Sequence, residues 1–186
     1  MYTCIFVGST SILNHLFFFR QNKNQMVFWI VSHCTTVNYR EKYVEALQNY
    51  VPVNVFGQCN KKPCPRGTFD DCHKVQSISH KFYIAFENSN CQDYITEKLW
   101  KALNMPVVPV VMGGGNYLRD APPHSFIDVK NFEDVQALAE YLIFLDENDV
   151  SLFGNLKNKM AKSTFYNSGK VFGVLCLEGQ VSSLHI

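Results

Sequence analysis

Short apolar runs alternate with amphipathic segments along the middle of this chain, and that alternation limits its fold more than any other feature. Continuous apolar runs of this length are typical of strands that are covered on both faces. Helical periodicity predicts helices over residues 39–50, 93–104 and 133–145. Strands that alternate with helices in this way predict βαβ units and an α/β fold with a parallel sheet. The predicted strands are 26–31, 53–57, 81–86, 106–112 and 125–129.

Local signals refine the ends of these elements. Asn38 followed by Glu41 resembles a capping box, which predicts the start of the first helix. Asp93 is placed to cap the second helix. Pro109 interrupts the fourth run and predicts an irregularity or an edge position, because proline donates no hydrogen bond to a ladder.

The pattern divides the chain into three parts. Residues 26–150 form the predicted domain, and residues 151–186 read as a divergent tail in which Gly, Asn, Ser and Lys break the pattern. Residues 1–25 form an apolar segment that contains no Asp or Glu. Its length is near that of a membrane span, but polar residues dilute its apolarity. Three interpretations of this segment stay open: a membrane anchor, a buried strand, or an accidental start upstream of the real domain.

The charge composition limits the partners. The net charge is +1, and no run of basic residues is present. Nucleic acid is therefore not an expected partner, because neutralising a phosphate backbone requires a basic face. A single small anion remains compatible with the sequence, since it needs only two or three local cations.

The seven cysteines favour disulfides over a metal site. Cys59, Cys64 and Cys72 lie close together, but their spacing is poor for zinc, which favours tidy pairs with two to four intervening residues. Disulfides in a secretory compartment are the better interpretation. Cys34 and Cys91 follow two strands that should be neighbours, and a bond between them is a hypothesis.

Polar loops at the carboxyl ends of the strands form the predicted site. Ligands of parallel sheets bind at this edge, here formed by residues 32–38, 87–92 and 113–116. The glycines at 113–115 are expected to let the backbone turn closely past a ligand. Tyr94, Glu97 and Lys98 fall in the first turn of the second predicted helix. A helix amino terminus suits a diphosphate, and Lys98 adds a full positive charge.

A set of motifs runs through the predicted domain. These motifs are Phe86-Glu-Asn-Ser, Asp93-Tyr-Ile-Thr-Glu-Lys98, Trp29-Ile-Val-Ser-His33, Arg40-Glu-Lys-Tyr-Val, and residues 106–113, 121–127 and 128–132. Together they resemble the α1,3-fucosyltransferase family (glycosyltransferase family 10). The likeness covers roughly residues 27–150 in consistent order, which makes it far more specific than a lone glycine motif.

The resemblance implies a Rossmann-like sheet with flanking helices, the C-terminal half of a GT-B-type glycosyltransferase, which holds GDP-fucose. By matching position, Arg40 and Lys98 would hold the diphosphate, and Asn88 and Tyr94 would contact the nucleotide sugar. Glu97 would meet ribose or fucose hydroxyls and stabilise positive charge on the sugar ring. With two cations on the leaving group, no metal or other cofactor would be required.

The family's function implies transfer of fucose to a hydroxyl of a glycoprotein or glycolipid glycan, with inversion, in the Golgi lumen. The family is membrane-associated through an N-terminal anchor, which is missing or atypical here. In this family the general base looks to be a glutamate of the N-terminal half. Because residues 1–25 cannot supply that half, we expect a truncated form that lacks the acceptor half. The alternative is a GDP-fucose-binding module or pseudoenzyme without transfer activity.

Overall fold

The computed structural model describes residues 2–4, 23–60, 69–148 and 176–178, in which strands and helices alternate. The strands are β1 (Tyr2–Cys4), β2 (Gln25–Ile30), β3 (Val53–Phe56), β4 (His80–Phe86), β5 (Val108–Met112), β6 (Ile127–Asp128) and β7 (Cys176–Glu178). The helices are α1 (Arg40–Leu47), α2 (Phe69–Ser79), α3 (Glu97–Leu103), α4 (Tyr117–Asp120) and α5 (Val135–Glu147). Short 3-10 turns lie at Gln58–Asn60 and Val129–Asn131.

Five strands form one parallel sheet in the order β3-β2-β4-β5-β6. This confirms the predicted α/β fold with a parallel sheet. The remaining two strands, β1 and β7, pair antiparallel with each other. The carboxyl ends of β2 and β4 are neighbours in the sheet, so the loops that follow them meet at one edge.

Both faces of the sheet are covered. Along β4, Phe82, Ile84 and Phe86 belong to the core that contains residues of α1 and α5, whereas Tyr83 and Ala85 belong to the core on the side of α2, α3 and α4. This division follows from the two-residue period of a strand, which sends alternate side chains to opposite faces. The continuous apolar run of β4 is therefore explained by burial on both sides.

The start of α1 differs from the predicted capping box. Tyr39 precedes the helix with a left-handed φ of 53° and makes no side-chain cap. The carboxylate of Glu41 reaches back to Thr36, whose amide and hydroxyl both donate to it. Asn38 donates instead to the backbone oxygen of Glu87, 3.0 Å away. The expected cap residue thus joins two loops.

Helix α2 occupies a segment for which the sequence pattern predicts a cysteine-bearing loop. Its buried positions include Cys72, Gln76 and Ser77. Because two of these three buried residues are polar, the helix shows no apolar period of the kind that predicts an amphipathic helix.

The strand that carries Pro109, β5, lies between β4 and β6 and is therefore not an edge strand as a whole. Pro109 pairs with Tyr83 of β4. On the other side β6 pairs only with Val110 and Val111, so it does not reach Pro109. The missing N–H of proline is tolerated at a place where the strand has a partner on one side alone.

Two of the described cysteines, Cys34 and Cys59, form a disulfide. Cys72 is also disulfide-bonded, as expected for this cysteine-bearing segment. Cys91 is free and exposed, so the hypothesis of a Cys34–Cys91 bond is wrong. The physical reason is that β2 lies between β3 and β4, so the loops after both neighbours approach the loop that carries Cys34.

The two ends of the chain lie largely outside the described residues. The predicted apolar segment 1–25 is described only at 2–4 and 23–25, and the predicted tail 151–186 only at 176–178. None of the helices within the described ranges combines the length and the apolarity needed to cross a membrane.

We predict that removing the disulfide lowers the stability of the domain. Replacing both Cys34 and Cys59 with serine removes a link across 25 residues, and the free energy of unfolding should fall by about 3 kcal/mol in denaturant titrations. Cys91→Ser is the matched control and should change it little, since Cys91 is free and exposed. Equal stability of the double variant and the control would contradict the assigned pairing.

Candidate functional site

A cavity of ≈ 330 Å³ lies beside the carboxyl ends of β2 and β4. Four of the residues predicted from the sequence, Arg40, Asn88, Glu97 and Lys98, line it together. The fifth, Tyr94, does not line the cavity and is 37% exposed on the loop before α3. The fold therefore brings both predicted cations to one site.

Arg40 is a buried cation at this cavity, with 3% of its surface exposed. Its Nη1 donates to the backbone oxygen of Phe86 at 2.7 Å, and its Nη2 to that of His33 at 3.1 Å. The guanidinium carbon lies 5.5 Å from the centre of the Trp29 ring, within the range of a cation–π contact. Two hydrogen bonds and one ring thus fix the guanidinium.

Within the described part of the chain, the guanidinium of Arg40 has no carboxylate in direct contact. Among the residues described, no carboxylate forms an ion pair with it, and its buried Nε has no hydrogen-bond partner. Burial lowers the pKa of Arg40, and the charges of Glu87 and Glu41 partly offset that effect. A guanidinium nevertheless stays protonated in proteins. A buried, unpaired cation beside a cavity favours an anionic ligand.

Lys98 is held differently, by a buried acid. Its Nζ donates to Oε2 of Glu87 at 2.9 Å and to Oγ1 of Thr96 at 2.7 Å. The side chain of Glu87 is 1% exposed and that of Lys98 is 21% exposed. Its burial and its bond to Lys98 give Glu87 a structural role at the end of its strand.

Arg40 and Lys98 are both hydrogen-bonded to residues at the end of β4. Arg40 is bonded to the carbonyl of Phe86, and Lys98 to the side chain of Glu87, the next residue along the chain. Both attachments are at the end of β4, the central strand of the sheet. Their relative position is therefore set by two consecutive residues of a buried strand.

Glu97 and Asn88 supply polar groups to the same cavity. The Glu97 side chain is 64% exposed, with a carboxylate oxygen 3.8 Å from Nζ of Lys98. Its partial burial alone would raise the pKa of Glu97, but its own backbone N–H and the charge of Lys98 hold that pKa below its usual value. Oδ1 of Asn88 is buried without a described partner. No group of three or more His, Cys, Asp or Glu side chains that could hold a metal occurs among the described residues.

Helix α3 begins later than predicted. Thr96 is its N-cap, and Asp93 adopts a left-handed φ of 57° in the preceding loop. Asp93 accepts a hydrogen bond from Arg119 at 3.0 Å, so its predicted capping role is wrong. Glu97 and Lys98 do occupy the first turn, whereas Tyr94 lies before it. The Thr96 N–H, 2.7 Å from Oε1 of Glu87, is already satisfied by that carboxylate.

The glycines at 113–115 do not belong to the cavity lining, and Gly114 and Gly115 pack against the loop before α3. Their expected close approach to a ligand stays a prediction. A Cβ atom on Gly114 would lie 2.1 Å from the backbone oxygen of Cys91, and one on Gly115 would lie 2.2 Å from Cγ1 of Ile95. The backbone amide of Asp93 also donates to the oxygen of Gly114 at 3.2 Å. Their small size lets the loop before α3 lie directly on them.

Sequence reasoning missed several residues of the cavity. His73 of α2 and Tyr83 of β4 both line it and are hydrogen-bonded at 3.1 Å through Nε2 and the phenol oxygen. Burial raises the pKa of Tyr83, so the phenol stays neutral. His73 lies on the helix that had no sequence signal. Lys101 follows Lys98 by three residues, so helical spacing was a usable signal for its presence on the same face.

A parallel sheet with helices on both faces and a cation-lined cavity at its carboxyl edge defines a Rossmann-like domain. The model of the family described as "Glycosyltransferase family 10 (fucosyltransferase) C-term" matches residues 20–162. The chain belongs to this family, which confirms the resemblance drawn from its motifs.

Relatives with stated activities agree with this assignment. The chain is 46% identical over 131 residues to glycoprotein 3-alpha-L-fucosyltransferase A of Drosophila melanogaster, covering 69% of this chain and 26% of the relative. It is 33% identical over 152 residues to an alpha-(1,3)-fucosyltransferase of Caenorhabditis elegans, covering 81% and 33%. The chain thus spans between a quarter and a third of the length of these two relatives.

A solved structure shares the fold. The crystal structure of an alpha1,3-fucosyltransferase with GDP-fucose superposes with a TM-score of 0.62 at 19% identity. The match covers 80% of this chain and 49% of that one. The likeness confirms the Rossmann-like architecture that the motifs implied.

We predict that Gly114→Ala is more damaging than Gly115→Ala. At Gly114 the added carbon meets the backbone of residues 90–91, whereas at Gly115 it meets the side chain of Ile95. Gly114→Ala should lower the free energy of unfolding by about 3 kcal/mol and Gly115→Ala by about 1 kcal/mol in denaturant titrations. The reverse order would show that the loop before α3 does not rest on Gly114.

Proposed function

We propose that this chain is the donor-binding domain of an α1,3-fucosyltransferase and that its cavity binds GDP-fucose. Family membership and the activities of the relatives support the reaction class. The observation that carries the assignment to this cavity is the buried guanidinium of Arg40, which has no carboxylate partner among the described residues and shares the cavity lining with Lys98. A nucleotide diphosphate is the part of GDP-fucose that needs such charges.

The proposed role of the two cations is to hold the diphosphate and to stabilise it as a leaving group. The planar guanidinium of Arg40 can face two phosphate oxygens, while the ammonium of Lys98 acts as a compact charge. Their positions are fixed before the ligand binds, so little reorganisation is required as negative charge develops on the diphosphate. In this proposal the cations of the chain neutralise the leaving group without requiring a metal.

The other predicted residues take complementary roles in the proposal. Asn88 presents a buried amide oxygen that needs a donor, which a ribose or fucose hydroxyl would supply. Glu97 is the acid of the cavity lining and would accept from sugar hydroxyls. Tyr94 lies outside that lining, so it would contact a part of the nucleotide sugar that extends beyond the cavity.

Glu97 is better suited to charge stabilisation than to general-base catalysis. Transfer with inversion requires a base that removes the proton of the acceptor hydroxyl. The pKa of Glu97 is held below its usual value, which makes its carboxylate a weak base but a persistent negative charge. It would therefore stabilise positive charge on the fucose ring, and no residue of this chain is assigned as the base.

The acceptor and the compartment follow from the same proposal. The acceptor would be a glycan hydroxyl on a glycoprotein or glycolipid. The Cys34–Cys59 disulfide and the bonded Cys72 support an oxidising compartment such as the Golgi lumen, because disulfides are rare in reducing ones. Membrane association of the protein belongs to this proposal and rests on the family resemblance alone.

We predict that GDP binds the chain and that Arg40→Ala and Lys98→Ala each weaken binding about tenfold or more in calorimetric titrations. The matched control is Lys42→Ala, because Lys42 is an exposed lysine paired with Glu45 on α1. Thermal unfolding is measured in parallel, because Arg40→Ala also leaves the carbonyls of Phe86 and His33 without their donor. Unchanged GDP affinity in both variants would contradict the assigned roles.

Transfer separates an enzyme from a binding module. Fucose transfer from GDP-fucose to a galactosyl- or glucosaminyl-terminated acceptor by a chain that binds GDP would support the enzyme. Binding of GDP without transfer by the same preparation would support the module.

A further inference from the structure

The carboxylate of Glu87 is buried at the end of β4, with 1% of the side chain exposed. It accepts hydrogen bonds from three donors: the Thr96 amide at 2.7 Å, the Thr96 hydroxyl at 2.8 Å and Nζ of Lys98 at 2.9 Å. A buried carboxylate with three short bonds is a fixed group, because moving it would leave charge unsolvated.

The backbone of Glu87 is fixed as well. Its amide donates to the oxygen of Met112 at 2.9 Å, and its own oxygen accepts from Nδ2 of Asn38 at 3.0 Å. One contact leads to β5 and the other to the loop before α1. Glu87 therefore links the end of β4 both to β5 and to the loop before α1.

Lys98 has little freedom in this arrangement. An ammonium has three N–H donors, and Glu87 and Thr96 take two of them. Thr96 accepts from Lys98 while its own hydroxyl donates to Glu87, which closes a three-membered network. The network leaves one donor of Lys98, a residue of the cavity lining, for a ligand.

We infer that Glu87 is a positioning residue for donor binding, which orients the ammonium of Lys98 toward the pyrophosphate. This inference rests on the proposed function and names a residue that does not itself touch the ligand. On charge alone Glu87 opposes an anion, because its negative charge lies 2.9 Å from the lysine that should attract it. Any gain in GDP binding from Glu87 must therefore come from the orientation it gives to Lys98. Because its charge and its orienting role act in opposite directions on GDP affinity, an experiment can separate them.

The test is calorimetric titration of GDP into Glu87→Gln. This variant removes the negative charge but keeps the size of the side chain. If Glu87 acted only through its charge, GDP would bind more tightly to the variant. If Glu87 positions Lys98, the amide nitrogen of glutamine faces two donors and disrupts the network, and GDP affinity should fall about tenfold.

Introducing Glu87→Gln into a Lys98→Met background shows whether its effect on GDP affinity acts through Lys98. With Lys98 absent there is no ammonium to position, so Glu87→Gln should leave GDP affinity unchanged or raise it. Equal weakening in both backgrounds would overturn the inference, because a general structural defect does not depend on Lys98. Tighter binding of GDP by Glu87→Gln in the wild-type background would overturn it too.

Thr96 gives a second test that keeps the buried acid in place. Thr96→Val removes the hydroxyl that bonds both Glu87 and Lys98 but keeps the backbone N–H, whereas Thr96→Ser keeps both groups. GDP affinity should fall several-fold in the valine variant and stay near wild type in the serine variant. Equal affinities in the two variants would overturn the inference. Failure of the wild-type chain to bind GDP would instead contradict the proposed function.

Discussion

The end of β4 fixes both cations of the cavity, because the carbonyl of Phe86 binds Arg40 and the carboxylate of Glu87 binds Lys98. These two residues end a strand that is buried on both faces and flanked by β2 and β5. Strand packing therefore positions the charged groups, and the loops around them are arranged about a rigid centre. A site built on a strand end in this way is better defined than one carried by loops alone.

The two cations differ in how their charge is compensated. Lys98 forms an ion pair with Glu87, whereas Arg40 is bonded to neutral carbonyls. Burial of an unpaired guanidinium destabilises the folded chain, and an anion in the cavity would offset that cost. A ligand that binds only the folded state also stabilises it by mass action. Binding of an anion at this charge would therefore raise the stability of the domain.

The strands and the main site residues could be predicted from sequence because they depend on local patterns. The run that forms β4 is continuous and apolar, and Asn88, two residues beyond it, lines the cavity as parallel-sheet geometry predicts. The motif resemblance assigned Arg40 and Lys98 to the same diphosphate, and in the fold both residues line the same cavity. Their shared attachment to residues 86 and 87 was not predictable, since it depends on side-chain contacts across the sheet.

Non-local contacts also explain where the sequence interpretation was wrong. Asp93 has the chemistry of a cap, but Thr96 begins α3 because its amide is bound by Glu87, nine residues earlier. The disulfide partner of Cys34 could not be predicted because β2, the strand before it, lies between β3 and β4. Cys59 follows β3 and Cys91 follows β4, so sheet order alone favours neither. Helix α2 was missed because Gln76 and Ser77 occupy part of its buried face. In each case contacts between distant parts of the chain determine a local structure that the sequence pattern alone does not distinguish from its alternatives.

A crystal structure of the chain with GDP tests the central claim most directly. The account predicts that oxygens of one diphosphate lie within hydrogen-bonding distance of Nε or a free Nη hydrogen of Arg40 and of Nζ of Lys98. Lys98 should keep its bond to Glu87 in that complex. A diphosphate bound elsewhere, with neither cation in contact, would contradict the account.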